Sequence, residues 1–260
     1  MERTPVILDL NRYPADFHTL LEAAPVFDSS CSNAARVIYI EKDGGYFLKS
    51  AAPGALAEEA AMTRGFHRLG LAAEVVTYLH EEQDWLLTRK VPGEDCISPQ
   101  YLEDPRRLSA LQGEILRQLH DTPLPVGLPD RTAAYIAAAR EHYRTGQYDS
   151  SHFPDNWGYR CAEDAIAVVE QAAPLLKSDT LIHGDFCLPN VMLQNWQFSG
   201  FIDLGAAGAG DRHMDLFWGI WSLGFNLKTD AYRDRFLDAY GRDRIDFDIL
   251  NSIGAFEVFA

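Results

Sequence analysis

The sequence has little of what marks specialised chains. Its 260 residues contain only four cysteines, Cys31, Cys96, Cys161 and Cys187, far apart and without a C-x-x-C pair. That spacing excludes a clustered zinc site and a dense disulfide framework. Basic runs are missing too: 23 Lys and Arg stand against 38 Asp and Glu, a formal net charge of −15. A phosphate backbone needs a basic face, so nucleic acid is excluded as a partner, whereas a small cationic ligand suits the field. No stretch reaches the ~20 consecutive apolar residues that span a bilayer. The opening residues Met1-Glu2-Arg3-Thr4-Pro5 begin no apolar signal segment. The expectation is a cytoplasmic protein with free thiols and no membrane partner; nothing here speaks to oligomeric state.

What is present is an ordinary globular composition, 47% hydrophobic and 23% charged, sufficient for one large domain or two lobes. Residues 35–40 and 46–49 read as strands around Lys42-Asp43-Gly44-Gly45, a strong hairpin-turn signal. Residues 56–69 carry apolar positions at a helical period, and 75–79 and 85–88 read as two more strands. The pattern breaks at Pro92-Gly93. Beyond it come helical stripes over 108–119, 133–143, 165–176, 215–223, 232–240 and 249–259, with strands only near 181–182, 191–193 and 198–202. The expected fold class is α+β: a small β-rich N-terminal lobe with one helix (1–90) and a larger, mainly helical C-terminal lobe (91–260).

Chemistry concentrates in His183-Gly184-Asp185, Asn190 and Asp203-Leu204-Gly205. A short strand delivers Asp185 into a polar loop, and Asn190 opens a hairpin that closes just before Asp203. The ends of a hairpin lie together, so an amide oxygen and a carboxylate become neighbours, a hard-oxygen pair suited to Mg²⁺ carrying a phosphate. Asp185 stays free to orient a hydroxyl. This Asp-x-x-x-x-Asn plus Asp-x-Gly order is that of protein kinases. Phosphoryl transfer asks chiefly for an aimed nucleophile and neutralised phosphate oxygens.

A kinase requires upstream parts as well. Lys49 ends a strand, where its ammonium can reach nucleotide phosphates, and Glu59 on the next helix can pair with it; Glu58 is the competing partner. Ser32 lies in the turn expected to cover the phosphates. The segment from Arg89 to Val91 offers backbone hydrogen bonds to a base, with Thr88 at the back wall. His183 is read as ordering its loop. Asp215 is read as a helix N-cap that also ties that loop down.

These residues resemble the aminoglycoside phosphotransferase family, in particular its 3′-phosphotransferase branch. The likeness rests on His183-Gly184-Asp185-x-Cys187-Leu188-Pro189-Asn190, Ser199-Gly200-Phe201-Ile202-Asp203-x-Gly205 and Asp211-Arg212-x-x-Asp215, and it runs from about residue 30 onward. The resemblance implies a kinase-like fold and transfer of the γ-phosphate of ATP (or GTP) to an aminoglycoside hydroxyl, conferring resistance. Asp185 is then the catalytic base, Asn190 and Asp203 hold Mg²⁺, and Lys49 contacts the nucleotide. Glu257, matching an acidic C-terminal segment, would face the acceptor, turned away from the core. Ala206 and Trp221 stand where the branch carries arginines, differences that bear on the acceptor and leave the transfer positions intact. The alternatives are a kinase of the same fold acting on a macrolide, choline or a sugar, and a non-catalytic binding module.

Overall fold

The computed structural model describes residues 3–31, 34–148 and 158–260. Its elements, in order, are β1 (Thr4–Pro5), α1 (Ala15–Glu22), β2 (Val26–Asp28), β3 (Arg36–Ile40), β4 (Tyr46–Ala51), α2 (Ala57–Arg68), β5 (Val75–His80), β6 (Asp84–Arg89), β7 (Glu94–Asp95), α3 (Pro99–Leu102), α4 (Pro105–His120), α5 (Arg131–Thr145), α6 (Ala162–Ala172), β8 (Thr180–Ile182), β9 (Val191–Gln194), β10 (Gln197–Phe201), β11 (Gly208–Gly210), α7 (Arg212–Leu227), α8 (Arg233–Tyr240) and α9 (Phe247–Glu257). Backbone contacts divide the chain into two compact units, Met1–Ser98 with Pro189–Gly205, and Pro99–Leu188 with Ala206–Ala260. The boundary therefore differs from the expected single break after residue 90. The hairpin β9–β10 belongs with the first unit because β9 pairs with β7, Glu94 opposite Leu193 and Asp95 opposite Met192. Gly93 permits the approach: at φ +89° its Cα lies so close to the Leu193 carbonyl that a Cβ would come within 2.0 Å of the oxygen.

The first unit is built on an antiparallel sheet in the order β1-β2-β3-β4-β6-β5 among the described residues. Strand alternation sorts its side chains onto two faces. Ile38, Ile40, Tyr46, Leu48, Trp85 and Leu87 pack with Tyr13, Phe17 and Leu21 into one core. Phe17 and Leu21 come from α1, a helix additional to the one expected in this lobe. The opposite face carries Val37, Phe47, Lys49, Leu86 and Thr88, paired Val37 with Lys49 and Lys49 with Leu86 across β3, β4 and β6. Helix α2 packs on this sheet through Leu56 and Ala60 against Leu86. Its start is pinned by Asp84, a wholly buried carboxylate. Asp84 accepts the Leu56 N–H at 2.8 Å, the Tyr78 hydroxyl at 3.0 Å and His80 Nδ1 at 2.7 Å.

The second unit is helical, with α4 against α8, α6 against α9 and α7 against α9. Small residues allow close packing: Ala139, Ala162, Ala165, Val169 and Ala172 meet Phe256 and Phe259. Helices α4, α5, α7 and α9 begin with aspartates, Asp104, Asp130, Asp211 and Asp246, whose side chains accept first-turn N–H groups. The cap of α7 is thus Asp211, where the sequence pattern pointed to Asp215. Among the described residues strand β8 pairs with β11. Among the described residues no helix is long and apolar enough to cross a membrane.

Asp84 generates a stability prediction. Burial acts to raise its pKa, but hydrogen bonds from the Gly54 and Leu56 backbones, His80 and Tyr78 outweigh it and hold the carboxyl at about 2. Against an unfolded value of ~3.9, this stabilisation is complete above pH ~4 and is lost as pH falls from there through the folded value. Asp84→Asn is expected to lower unfolding free energy at neutral pH by about 1.5–3 kcal/mol and to flatten the acid limb. Urea midpoints between pH 2 and 7 measure both; a wild-type midpoint at neutral pH would remove Asp84 as the anchor of α2.

Candidate active site

In the first unit, the sheet face opposite α1 borders a cavity of about 470 Å³. Its walls are apolar where Val37, Phe47, Leu86, Val91, Met192 and Ile202 meet, and polar where Lys49, Glu59, Asn190 and Asp203 converge. The alternation of β4 aims Lys49 at this polar end. Its Nζ donates to Glu59 Oε1 and Oε2 at 3.0 and 2.8 Å and to Asp203 Oδ1 at 2.9 Å, which occupies all three ammonium donors. The helix partner is therefore Glu59, not Glu58. Burial opposes the Lys49 charge, but the Asp203 and Glu59 carboxylates outweigh it and raise the lysine pKa. Glu59 is also raised, because its burial exceeds the attraction of Lys49.

Asn190 and Asp203 flank the hairpin as its spacing required. The strands pair Val191 with Phe201, and the Ile202 N–H donates to the Asn190 carbonyl at 3.1 Å. At the other end Asn195 and Trp196 take φ +54° and +65°, the left-handed pair of a tight hairpin turn. Asp203 itself sits at φ +55°, an uncommon conformation for a non-glycine residue, with its side chain half exposed. Asn190 and Asp203 offer hard oxygen donors, and among the described residues no group of three or more His, Cys, Asp or Glu could hold a metal. Two protein ligands fit Mg²⁺, which keeps waters and substrate phosphates in its remaining positions.

The backbone at Arg89–Val91 is only partly available to a ligand. The Arg89 N–H donates to Glu74 and the Lys90 N–H to Gly45, which leaves the Val91 N–H as this segment's backbone donor among the described residues. The Arg89 guanidinium lies 4.4 Å over the Tyr46 ring. Ser32 lies outside the described residues; its neighbour Cys31 lines the cavity.

In the second unit, the loop after β8 is held by Asp215, which is wholly buried. Its Oδ2 accepts the His183 N–H at 2.7 Å and its Oδ1 the Gly184 N–H at 2.8 Å, so it ties the loop as expected. His120 Nε2 lies 3.2 Å from the same carboxylate, and His120 Nδ1 lies 2.9 Å from the Tyr240 hydroxyl. Gly184, at φ +81°, rests on Ala206, whose carbonyl oxygen a Cβ would meet at 2.1 Å. Next along, the Asp185 N–H donates to His183 Nδ1 at 3.3 Å, which gives His183 its ordering role. Leu188 N–H donates to Ser222 Oγ at 2.9 Å. Asp185 itself is only partly buried. The pattern gave no sign of His120 or Ser222, since each reaches the loop from a helix distant in sequence.

Glu257 is corrected. It does not turn away from the core: every residue from Ser252 to Phe259 is buried, because the end of α9 is enclosed by other helices of this unit. Tyr135 hydroxyl and Trp218 indole donate to its carboxyl. Burial, partly offset by these bonds and reinforced by the nearby Asp185 charge, pushes its pKa up to about 7.

Comparison with known proteins places this geometry. The model of the phosphotransferase enzyme family matches residues 26–249. A probable aminoglycoside 3′-phosphotransferase of Lactococcus lactis subsp. lactis (strain IL1403) is 43% identical over 254 residues, 97% of each chain. An aminoglycoside 3′-phosphotransferase of Niallia circulans is 31% identical over 176 residues, 65% of this chain and 64% of that one. Among solved structures, an aminoglycoside-3′-phosphotransferase of type VIII superposes with a TM-score of 0.73 at 23% identity, covering 96% of both chains. The aminoglycoside phosphotransferase APH(3″)-Id from Streptomyces rimosus ATCC10970, in complex with ADP and streptomycin, superposes at 0.67 and 21% identity over 96% of this chain and 99% of that one. These two likenesses bear out the protein-kinase-like fold.

The raised Glu257 pKa makes a prediction of definite sign. The folded carboxyl keeps its proton to about 7, whereas the unfolded one loses it near ~4.3. The folded state binds more protons in that window, so stability falls as pH rises through it and levels off above. Glu257→Gln, neutral and similar in size, is expected to melt like wild type near pH 4 and above it at pH 8. Melting curves across that range test this; parallel curves would mean the carboxyl titrates normally.

Proposed function

The chain belongs to the phosphotransferase enzyme family, and on that premise we propose that it transfers the γ-phosphate of ATP (or GTP) to a hydroxyl of an aminoglycoside, at the 3′ position. The observation that carries this reading is the cavity whose apolar walls end in the Lys49–Glu59–Asp203 cluster. Apolar walls suit a flat base, the Val91 N–H supplies a fixed hydrogen bond to its edge, and Lys49 supplies positive charge for phosphate oxygens. Glu59 keeps Lys49 in place and charged. Mg²⁺ held by Asn190 and Asp203 neutralises phosphate charge when bound.

Asp185 orients the acceptor hydroxyl and takes its proton as the oxygen attacks the γ-phosphorus and ADP leaves. Asp215 contributes indirectly: by accepting two backbone N–H groups it fixes the direction from which Asp185 leaves the loop. Acceptor identity is supported by the Lactococcus lactis relative, which aligns over 97% of both chains, and by the net charge of −15, which favours a polycation. Resistance to such antibiotics is the expected consequence in cells.

The test is phosphate transfer to a panel of aminoglycosides with ATP and with GTP, each product located by NMR. Kanamycin should be phosphorylated at its 3′-hydroxyl, and tobramycin, which lacks that group, should compete without turnover. Asp185→Asn is expected to lower kcat about 10²–10⁴-fold while leaving the melting temperature near wild type. Near-normal turnover in that variant would remove Asp185 from its role. Product only with a macrolide, choline or a sugar would move the acceptor to another small hydroxyl compound.

A further inference from the structure

A cation that faces a largely apolar cavity with no anion of its own calls for an explanation. Arg3 is such a cation. Strand β1 lies at the sheet edge with Thr4 opposite Asp28 and Pro5 opposite Phe27, so Arg3 is level with Ser29. The Ser29 N–H donates to the Val37 carbonyl at 2.9 Å, and Val37 pairs with Lys49. Register therefore sets Arg3, three strands away, in the row of Lys49 and on the same face. Its guanidinium carbon stands 3.8 Å from the centroid of the Tyr39 ring and 5.8 Å from that of Phe47, and the residue lines the 470 Å³ cavity. The ring faces attract the charge but accept none of the N–H bonds that point outward in the guanidinium plane. Nε is buried and has no hydrogen-bond partner among the described residues.

The cavity's other cations are engaged. Lys49 gives its three donors to Glu59 and Asp203, one ammonium against two carboxylates. Arg89 Nη1 donates to the Asp43 carbonyl at 3.2 Å and Lys90 Nζ to the Gly93 carbonyl at 3.1 Å. We infer that Arg3 is a nucleotide-binding residue whose guanidinium donates to phosphate oxygens, which makes the N-terminal strand part of that site. The inference rests on the cavity's being a nucleotide site, and it adds a second cation there. Phosphate is the favoured partner because the guanidinium fork matches two of its oxygens, whereas the apolar walls serve the base. Tyr39 already holds the fork, so little side-chain freedom is left to lose on binding.

Calorimetric Kd values of the full chain for ATP, ADP and adenosine, measured with Mg²⁺, test this without turnover. Arg3→Met keeps a stem over Tyr39 and removes the charge. It is expected to raise the ATP and ADP Kd about ten- to a hundredfold and to leave adenosine within about twofold. Nucleotide KM should rise in parallel, with kcat and acceptor KM near wild type. Arg3→Lys, a charge without the fork, should raise the ADP Kd less, again sparing adenosine, and it guards against a folding defect in the methionine variant. An ADP Kd unchanged in Arg3→Met would overturn the inference. So would equal losses for ADP and adenosine, which would mean that the arm packs on the base and not the phosphates. A wild type that binds none of the three ligands would instead overturn the nucleotide reading of the cavity itself.

Discussion

A buried carboxylate met by two backbone N–H groups and an imidazole is the interaction that sets the loop carrying Asp185. Asp215 is wholly enclosed, and leaving a charge there unpaired would cost several kcal/mol. The cost is met only when the His183 and Gly184 N–H groups and His120 Nε2 all converge on it. That requirement sets the loop conformation, forces the left-handed turn at Gly184, and brings the Ala206 carbonyl against it. Asp185 therefore emerges from backbone held by these bonds, which is the preorganisation that the role proposed for it needs.

The first unit repeats the device at a different place. Asp84 accepts donors from the start of α2 and from two side chains of β5, so the helix carrying Glu59 begins at a defined point on the sheet. Glu59 and Asp203 then share one ammonium, that of Lys49. The carboxylates around these two sites thus fall into two kinds: those enclosed and bonded to backbone, as Asp84 and Asp215 are, and those beside the cavity, as Glu59 and Asp203 are. Glu257 stands between the kinds, enclosed yet poorly compensated, and its pKa of about 7 is the consequence.

Much of the kinase-like core was legible from residue order. The Asp-Gly-Gly turn, the helical period before residue 69 and the two strands after it foretold β3 to β6 with α2 to within a few residues. Helix α1 escaped notice because eight residues with two buried positions make a weak periodic signal. Strands β7 and β11 escaped because two or three residues show no alternation. The hairpin's allegiance to the first unit was invisible for another reason: pairing of β9 with β7 spans some hundred residues, and no local pattern encodes a partner that distant.

For the site, the sequence by itself determined the chemistry on offer: an oxygen pair at a hairpin's ends, a carboxylate on a loop, a lysine on a strand. Those follow from residue type and short spacing, the range over which backbone geometry is fixed by local sterics. Tertiary structure alone decided that Glu59 rather than Glu58 meets Lys49, since adjacent helix positions point about 100° apart and only packing of α2 on Leu86 sets which one faces the sheet. It decided that Asp211 caps α7 while Asp215 serves the loop. It also decided that Glu257 is enclosed while Trp221 and Phe225 are not. Amphipathic period assigns such faces from polarity alone, and burial follows instead from which neighbouring helices are present to cover them.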